Sequence, residues 1–186
     1  MANQTQRPDT ALHNTSHLMQ YHDLIESIVA AMDARDAYTA KHSDRVADMV
    51  LVLAAALDLS EDETTLLHMA AHLHDIGKIA VPDSVLRKAG PLTNPEWEEM
   101  RRHPVTGYEI LRKVDDFKEI AVLVRHHHER WDGRGYPDGL RGDEISVWAQ
   151  AVSLADVYDA LINKRVYKAA LPRERALEMI KNGDCG

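Results

Sequence analysis

Apolar residues recur along this chain at helical spacing and nowhere alternate as they do in a half-buried strand. Leu18, Leu24, Ile25, Ile28 and Val29 predict an amphipathic helix from His17 onward, and Val46, Val50, Leu53 and Leu57 a second over 40–57. Ser60 followed by Glu63 is a capping-box signature; the helix it opens carries Leu66, Leu67, Ala70 and Leu73 toward Asp75, with Gly77 ending it. Residues 80–91 hold Pro82 and Gly90 and read as a loop with at most one short helix. Asn94 and Pro95 read as a cap and first-turn proline leading into Trp97 to Arg102, and 104–114 and 117–130 are helical again. Between Asp132 and Gly142 the density of Gly133, Gly135, Pro137 and Gly139 forbids a helix and dictates a shaped loop. Helix resumes over 146–161, and a last one begins at Pro172. The expected fold class is all-α: one compact domain over 17–186, preceded by an arm over 1–16 that has no apolar period.

The formal net charge of -8 argues against a broad basic surface that grips long nucleic acid. It leaves room for a small anion, which needs positive charge only within a Debye length of roughly 8 Å. No apolar run is long enough for membrane insertion, and the polar start lacks a signal-type core, so the expected compartment is the cytosol. Cys185 is the single cysteine, which leaves no disulfide framework and no thiolate metal site. The anomaly is 11 histidines, several of them clustered.

His74 and Asp75 stand together where a helix ends, and imidazole beside carboxylate suits borderline divalent metals. The pair alone is weak evidence. Asp156, however, is flanked by Leu154, Ala155 and Val157 in a stretch that must be largely buried, where an unaccompanied carboxylate would lose several kcal/mol of solvation. An arginine or a metal must keep it company. Further imidazoles stand at His42 on another predicted helix, at His103 before Pro104, and at His127 and His128 near a helix end. His68 and His72 share a helical face that points away from His74 and read as packing or surface residues. His126 falls outside the ligand set, and His13, His17 and His22 have no partner in view.

The set His42, His74-Asp75, Lys78, His103, His127-His128-Glu129, the loop Asp132-Gly133-Arg134-Gly135-Tyr136-Pro137 and Asp156 resembles the HD-GYP subgroup of HD-domain phosphohydrolases. The likeness runs from about Asp36 to Tyr167. It implies an HD-domain helical bundle holding two divalent ions, iron or manganese first, with nickel, zinc or magnesium as alternatives. His42, His74, Asp75 and Asp156 would hold one ion, and Asp75 would bridge to a second held by His103, His127 and His128. Some members place a glutamate one turn before the first histidine for a third metal; Tyr38 stands there, hence two ions. Arg165-Val166-Tyr167 departs from the family's Arg-Pro-Tyr, and the family usually continues past Gly186.

The activity implied is hydrolysis of cyclic di-GMP, to pGpG or GMP, by a metal-bridging hydroxide, with Asp75 and Lys78 as catalytic residues. Lys78, one turn beyond His74, is assigned a contact to the phosphate, and Arg130, Arg134 and Tyr136 are the other substrate contacts, with Trp131 read as core. Partner domains of the GGDEF, sensor or receiver type are expected. The rival readings are an HD phosphohydrolase of other nucleotides or of cyclic GMP-AMP, and a non-catalytic cyclic-dinucleotide receptor.

Overall fold

The computed structural model describes residues 18, 20–35, 41–163 and 170–185. The expected arm over 1–16, Tyr38 and the Arg165-Val166-Tyr167 departure lie outside the described residues. Among the described residues there is no strand, as the sequence pattern requires.

Nine α-helices follow in order among the described residues: α1 (His22–Arg35), α2 (His42–Ala56), α3 (Glu61–Leu73), α4 (Asp83–Leu86), α5 (Asn94–Met100), α6 (His103–Leu111), α7 (Lys118–His126), α8 (Val147–Ile162) and α9 (Arg173–Lys181). α2 packs on α3 and α8, α3 on α7, and α6 on α7. The centre is filled by Val46 and Val50 of α2, Leu67, Met69 and Leu73 of α3, Ile120 and Val124 of α7 and Val152 of α8, all fully buried. Each large side chain so placed contributes roughly 1.5–3 kcal/mol.

α3 opens as its sequence requires, with the Glu63 carboxylate accepting from the Ser60 N–H at 2.8 Å and the Glu63 N–H donating to Ser60 Oγ. α5 differs from expectation: Thr93, not Asn94, is its cap, because the Thr93 N–H and hydroxyl both donate to Glu96. Four residues trimmed from α7 matter more. It stops at His126 instead of reaching Arg130, because the Glu129 carboxylate turns back to accept from the backbone N–H groups of Asp138, Gly139 and Leu140, so that the chain after His128 belongs to the loop.

Gly77 does not end α3, which stops at Leu73; it lies in a short 3₁₀ segment, Ile76–Ala80. A Cβ on Gly77 would sit 1.9 Å from the His103 carbonyl oxygen and 2.6 Å from the Gly107 nitrogen. The missing side chain is what lets the start of α6 lie directly on the segment after Asp75. Arg35, at the end of α1, straps the same segment by donating to the carbonyls of Lys78, Ile79 and Val81.

Candidate metal centre

Five helices deliver the histidines and aspartates singled out from the sequence to one buried place. His42 opens α2, His74 and Asp75 follow the last turn of α3, His103 opens α6, His127 and His128 follow α7, and Asp156 lies mid-way along α8. Ligand atoms of His42, His74 and Asp75 lie within 4.8 Å of one another, and so do those of His103, His127 and His128. Asp75 stands between the two groups: its Oδ2 is 3.4 Å from His74 Nε2 and its Oδ1 3.3 Å from His103 Nε2. Asp156 Oδ1 joins the first group, 3.1 Å from His42 Nε2.

Four of the five imidazoles are oriented by their outer nitrogen. His74 Nδ1 meets the Ala71 carbonyl at 2.7 Å, His103 Nδ1 that of Met100 at 2.8 Å and His127 Nδ1 that of Val124 at 2.6 Å, while His42 Nδ1 meets Asp159 Oδ2 at 2.7 Å. Carbonyl oxygens only accept, so in His74, His103 and His127 Nδ1 carries the proton and Nε2 turns a lone pair inward, the usual state of a metal-ligating histidine. In these three rings the inward atoms face carboxylate oxygens or one another with no proton between them. His42 Nε2 and His74 Nε2 are buried without a hydrogen bond, and His103 Nε2 faces His127 Nε2 at 3.3 Å, lone pair against lone pair. A cation resolves all of these contacts at once, so the donor set fits divalent metal ions.

The electrostatics agree. Burial pushes His103 down to about 3 and His128 to about 4, and holds His127 well below its ordinary value, which leaves all three neutral and ready to ligate. Burial disfavours the ionised form of Asp75, yet the Lys78 ammonium beside it holds it well below the usual carboxylate range. His42 is the exception: burial works against its charge, but the carboxylates of Asp156 and Asp159 raise it to about 9. His42 must therefore release the proton from Nε2 before that atom can ligate a metal.

Asp159 and Arg45 escaped the sequence reading. Arg45 Nε donates to Asp159 Oδ1 at 2.7 Å while Asp159 fixes the His42 ring, so a chain of charges steadies one proposed ligand. The signal was present in the spacing: Asp159 follows Asp156, and Arg45 follows His42, by one helical turn.

The substrate residues named from the sequence separate. Lys78 Nζ sits 2.6 Å from Asp75 Oδ2, beside the centre. The Tyr136 ring packs against His128 with centroids 4.8 Å apart, and the Arg101 guanidinium lies 5.6 Å from the Tyr136 centroid. Arg130 is engaged elsewhere, donating to Asp132 and to the Cys185 carbonyl, and Arg134 is exposed. Trp131 is 55% exposed, so it is not core: the loop that follows Glu129 carries it outward. His126 pairs with Asp138 at 3.1 Å, off the centre. Two loop glycines serve different ends, Gly133 by its positive φ of 76° and Gly135 by a close approach that would put a Cβ 2.4 Å from the Arg130 nitrogen.

A bundle that gathers histidines and aspartates from five helices around a buried centre is the architecture of the HD domain family, whose pattern matches residues 22–184. The chain belongs to that family. It is 44% identical over 157 residues to the cyclic di-GMP phosphodiesterase response regulator RpfG of Xanthomonas campestris pv. campestris, covering 83% of this chain and 42% of that protein. It is 40% identical over 170 residues to the 3'3'-cGAMP-specific phosphodiesterase 3 of Vibrio cholerae, covering 89% and 37%. The chain thus spans about two fifths of the length of these curated relatives. Among solved structures, Bd1817, a HDG"Y"P protein from Bdellovibrio bacteriovorus, shares the fold with a TM-score of 0.63 at 22% identity, over 92% of this chain and 63% of that one. Among the described residues no helix is long and apolar enough to cross a membrane.

Proposed function

We propose that this domain is a metal-dependent phosphodiesterase that opens cyclic di-GMP, giving pGpG or GMP. The observation that carries the reading is the set of inward-facing Nε2 atoms grouped about Asp75, an arrangement with no purpose in a metal-free core. His42, His74, Asp75 and Asp156 would hold one ion and His103, His127 and His128, with Asp75 shared, a second; iron or manganese suits these nitrogen and oxygen donors. When bound, such ions supply Lewis acidity, which lowers the pKa of water and draws charge from phosphoryl oxygens.

The chain's own groups do the rest. Carbonyls of Ala71, Met100 and Val124 lock three rings in the ligating tautomer and the carboxylate of Asp159 fixes the orientation of the His42 ring, so no reorientation is needed when substrate arrives. Lys78 offers a fixed positive charge to the phosphodiester, and Tyr136, backed by Arg101, presents a ring face to a base. We read the domain as cytosolic and expect it to be governed by a receiver, sensor or GGDEF-type domain; one similar protein is itself called a response regulator.

A second substrate has specific support, because two similar proteins, at 40% and 42% identity, are named 3'3'-cGAMP-specific phosphodiesterases. Chromatographic assay of the metal-loaded protein against cyclic di-GMP, 3'3'-cGAMP, pGpG and mononucleotides tests the proposal. Cyclic di-GMP should be turned over fastest. Faster turnover of 3'3'-cGAMP would transfer the assignment to that substrate, turnover of mononucleotides alone would refute a cyclic-dinucleotide enzyme, and tight binding without hydrolysis would make the domain a receptor.

Lys78→Ala is expected to slow turnover on the order of 100-fold, the usual effect of removing one charge-stabilising donor, while metal content stays at the wild-type level. Loss of metal in that variant, read by elemental analysis, would contradict the role given to Lys78. Asp159→Ala should leave the fold intact but weaken metal affinity about 10–100-fold, as loss of an outer partner does, measured by competition with a chelator.

A further inference from the structure

His22 gains a partner that the sequence left out of view. Its ring stacks on His68 with centroids 5.7 Å apart and planes 1° from parallel, and lies edge-on to His72 at 5.6 Å. His68 and His72 are one helical turn apart on α3, with centroids at 4.6 Å, so the three imidazoles meet where α1 crosses α3. One ligand atom from each lies within 4.8 Å of the others. His72 is only 6% exposed, and its Nδ1 is buried with no hydrogen-bond partner.

We propose that His22, His68 and His72 form a binding site for a divalent transition ion, separate from the centre around Asp75 and on another face of α3. Plain packing of three imidazoles does not account for the buried Nδ1 of His72, whereas coordination satisfies it at once. The donors are imidazoles, and three of them with one oxygen make a tetrahedral set suited to zinc rather than to magnesium or calcium. Carboxylates stand ready as the fourth ligand: Glu26 Oε1 is 3.6 Å from His22 Nδ1, and Asp44 Oδ1 is 3.8 Å from His72 Nδ1. His72 and His74 sit two residues apart, so they point about 160° from each other around α3, and one ion cannot serve both sets. An ion here would pin α1 to α3, and α1 in turn straps the segment after Asp75 through Arg35.

The full chain, stripped with a chelator and dialysed against Zn2+, provides the test by elemental analysis and thermal melting. His22→Gln and His68→Gln should each bind one Zn2+ per chain fewer than wild type. In an Asp75→Ala, His103→Ala protein, one Zn2+ should remain bound and raise the melting temperature, and adding His22→Gln should abolish both effects. Wild-type stoichiometry and affinity in His22→Gln, or survival of the remaining ion in the combined variant, would overturn the proposal. Should His68→Gln lose its helical circular dichroism, His22→Gln decides alone, since His22 is half-buried and its ring leaves the core unbroken.

Discussion

Asp75→Ala is expected to abolish phosphodiesterase turnover and to strip metal from both ligand groups. Its two oxygens lie 3.4 Å and 3.3 Å from the Nε2 atoms of His74 and His103, so a single side chain ties the first group to the second. Alanine also leaves the Lys78 ammonium, 2.6 Å from Asp75 Oδ2 in the intact protein, repelling any cation brought to the same place. Elemental analysis and a turnover assay at saturating metal measure the effect, with circular dichroism to verify the fold. Unchanged turnover would remove Asp75 from its central role.

Gly77→Ala is expected to cost about 3 kcal/mol of stability or more and to displace His103. The added Cβ would fall 1.9 Å from the His103 carbonyl oxygen, a backbone atom that cannot swing aside as a side-chain tip can. Relief requires α6 to move off the 3₁₀ segment, carrying His103 Nε2 away from Asp75. Denaturant unfolding and metal content should therefore fall together. A Gly77→Ala protein of wild-type stability that still binds its full metal complement would show that the close approach is not needed.

The helical fold was legible because its signals are local. Spacing of apolar residues and the Ser60–Glu63 box act within one or two turns, and the observed elements follow them. The candidate ligands were legible for a different reason: His74-Asp75 and His127-His128 are adjacent in sequence, and Asp156 stands out as a carboxylate in an apolar stretch. What escaped depends on contacts between distant elements. Gly77 reads as a helix terminator until α6 lies against it, and the end of α7 is set by Glu129 reaching across to backbone that follows it by nine to eleven residues. Asp159 stayed hidden behind Asp156, since a single buried carboxylate already satisfied the pattern. His22 looked solitary because its partners are on another helix, and no periodicity within α1 points to them.

The most direct test of the centre is anomalous diffraction at the absorption edge of the bound metal, from crystals of protein loaded with iron or manganese. Two adjacent peaks are expected, one among His42, His74, Asp75 and Asp156, the other among Asp75, His103, His127 and His128. No anomalous density between those residues, with the ions found only elsewhere on the chain, would contradict the account.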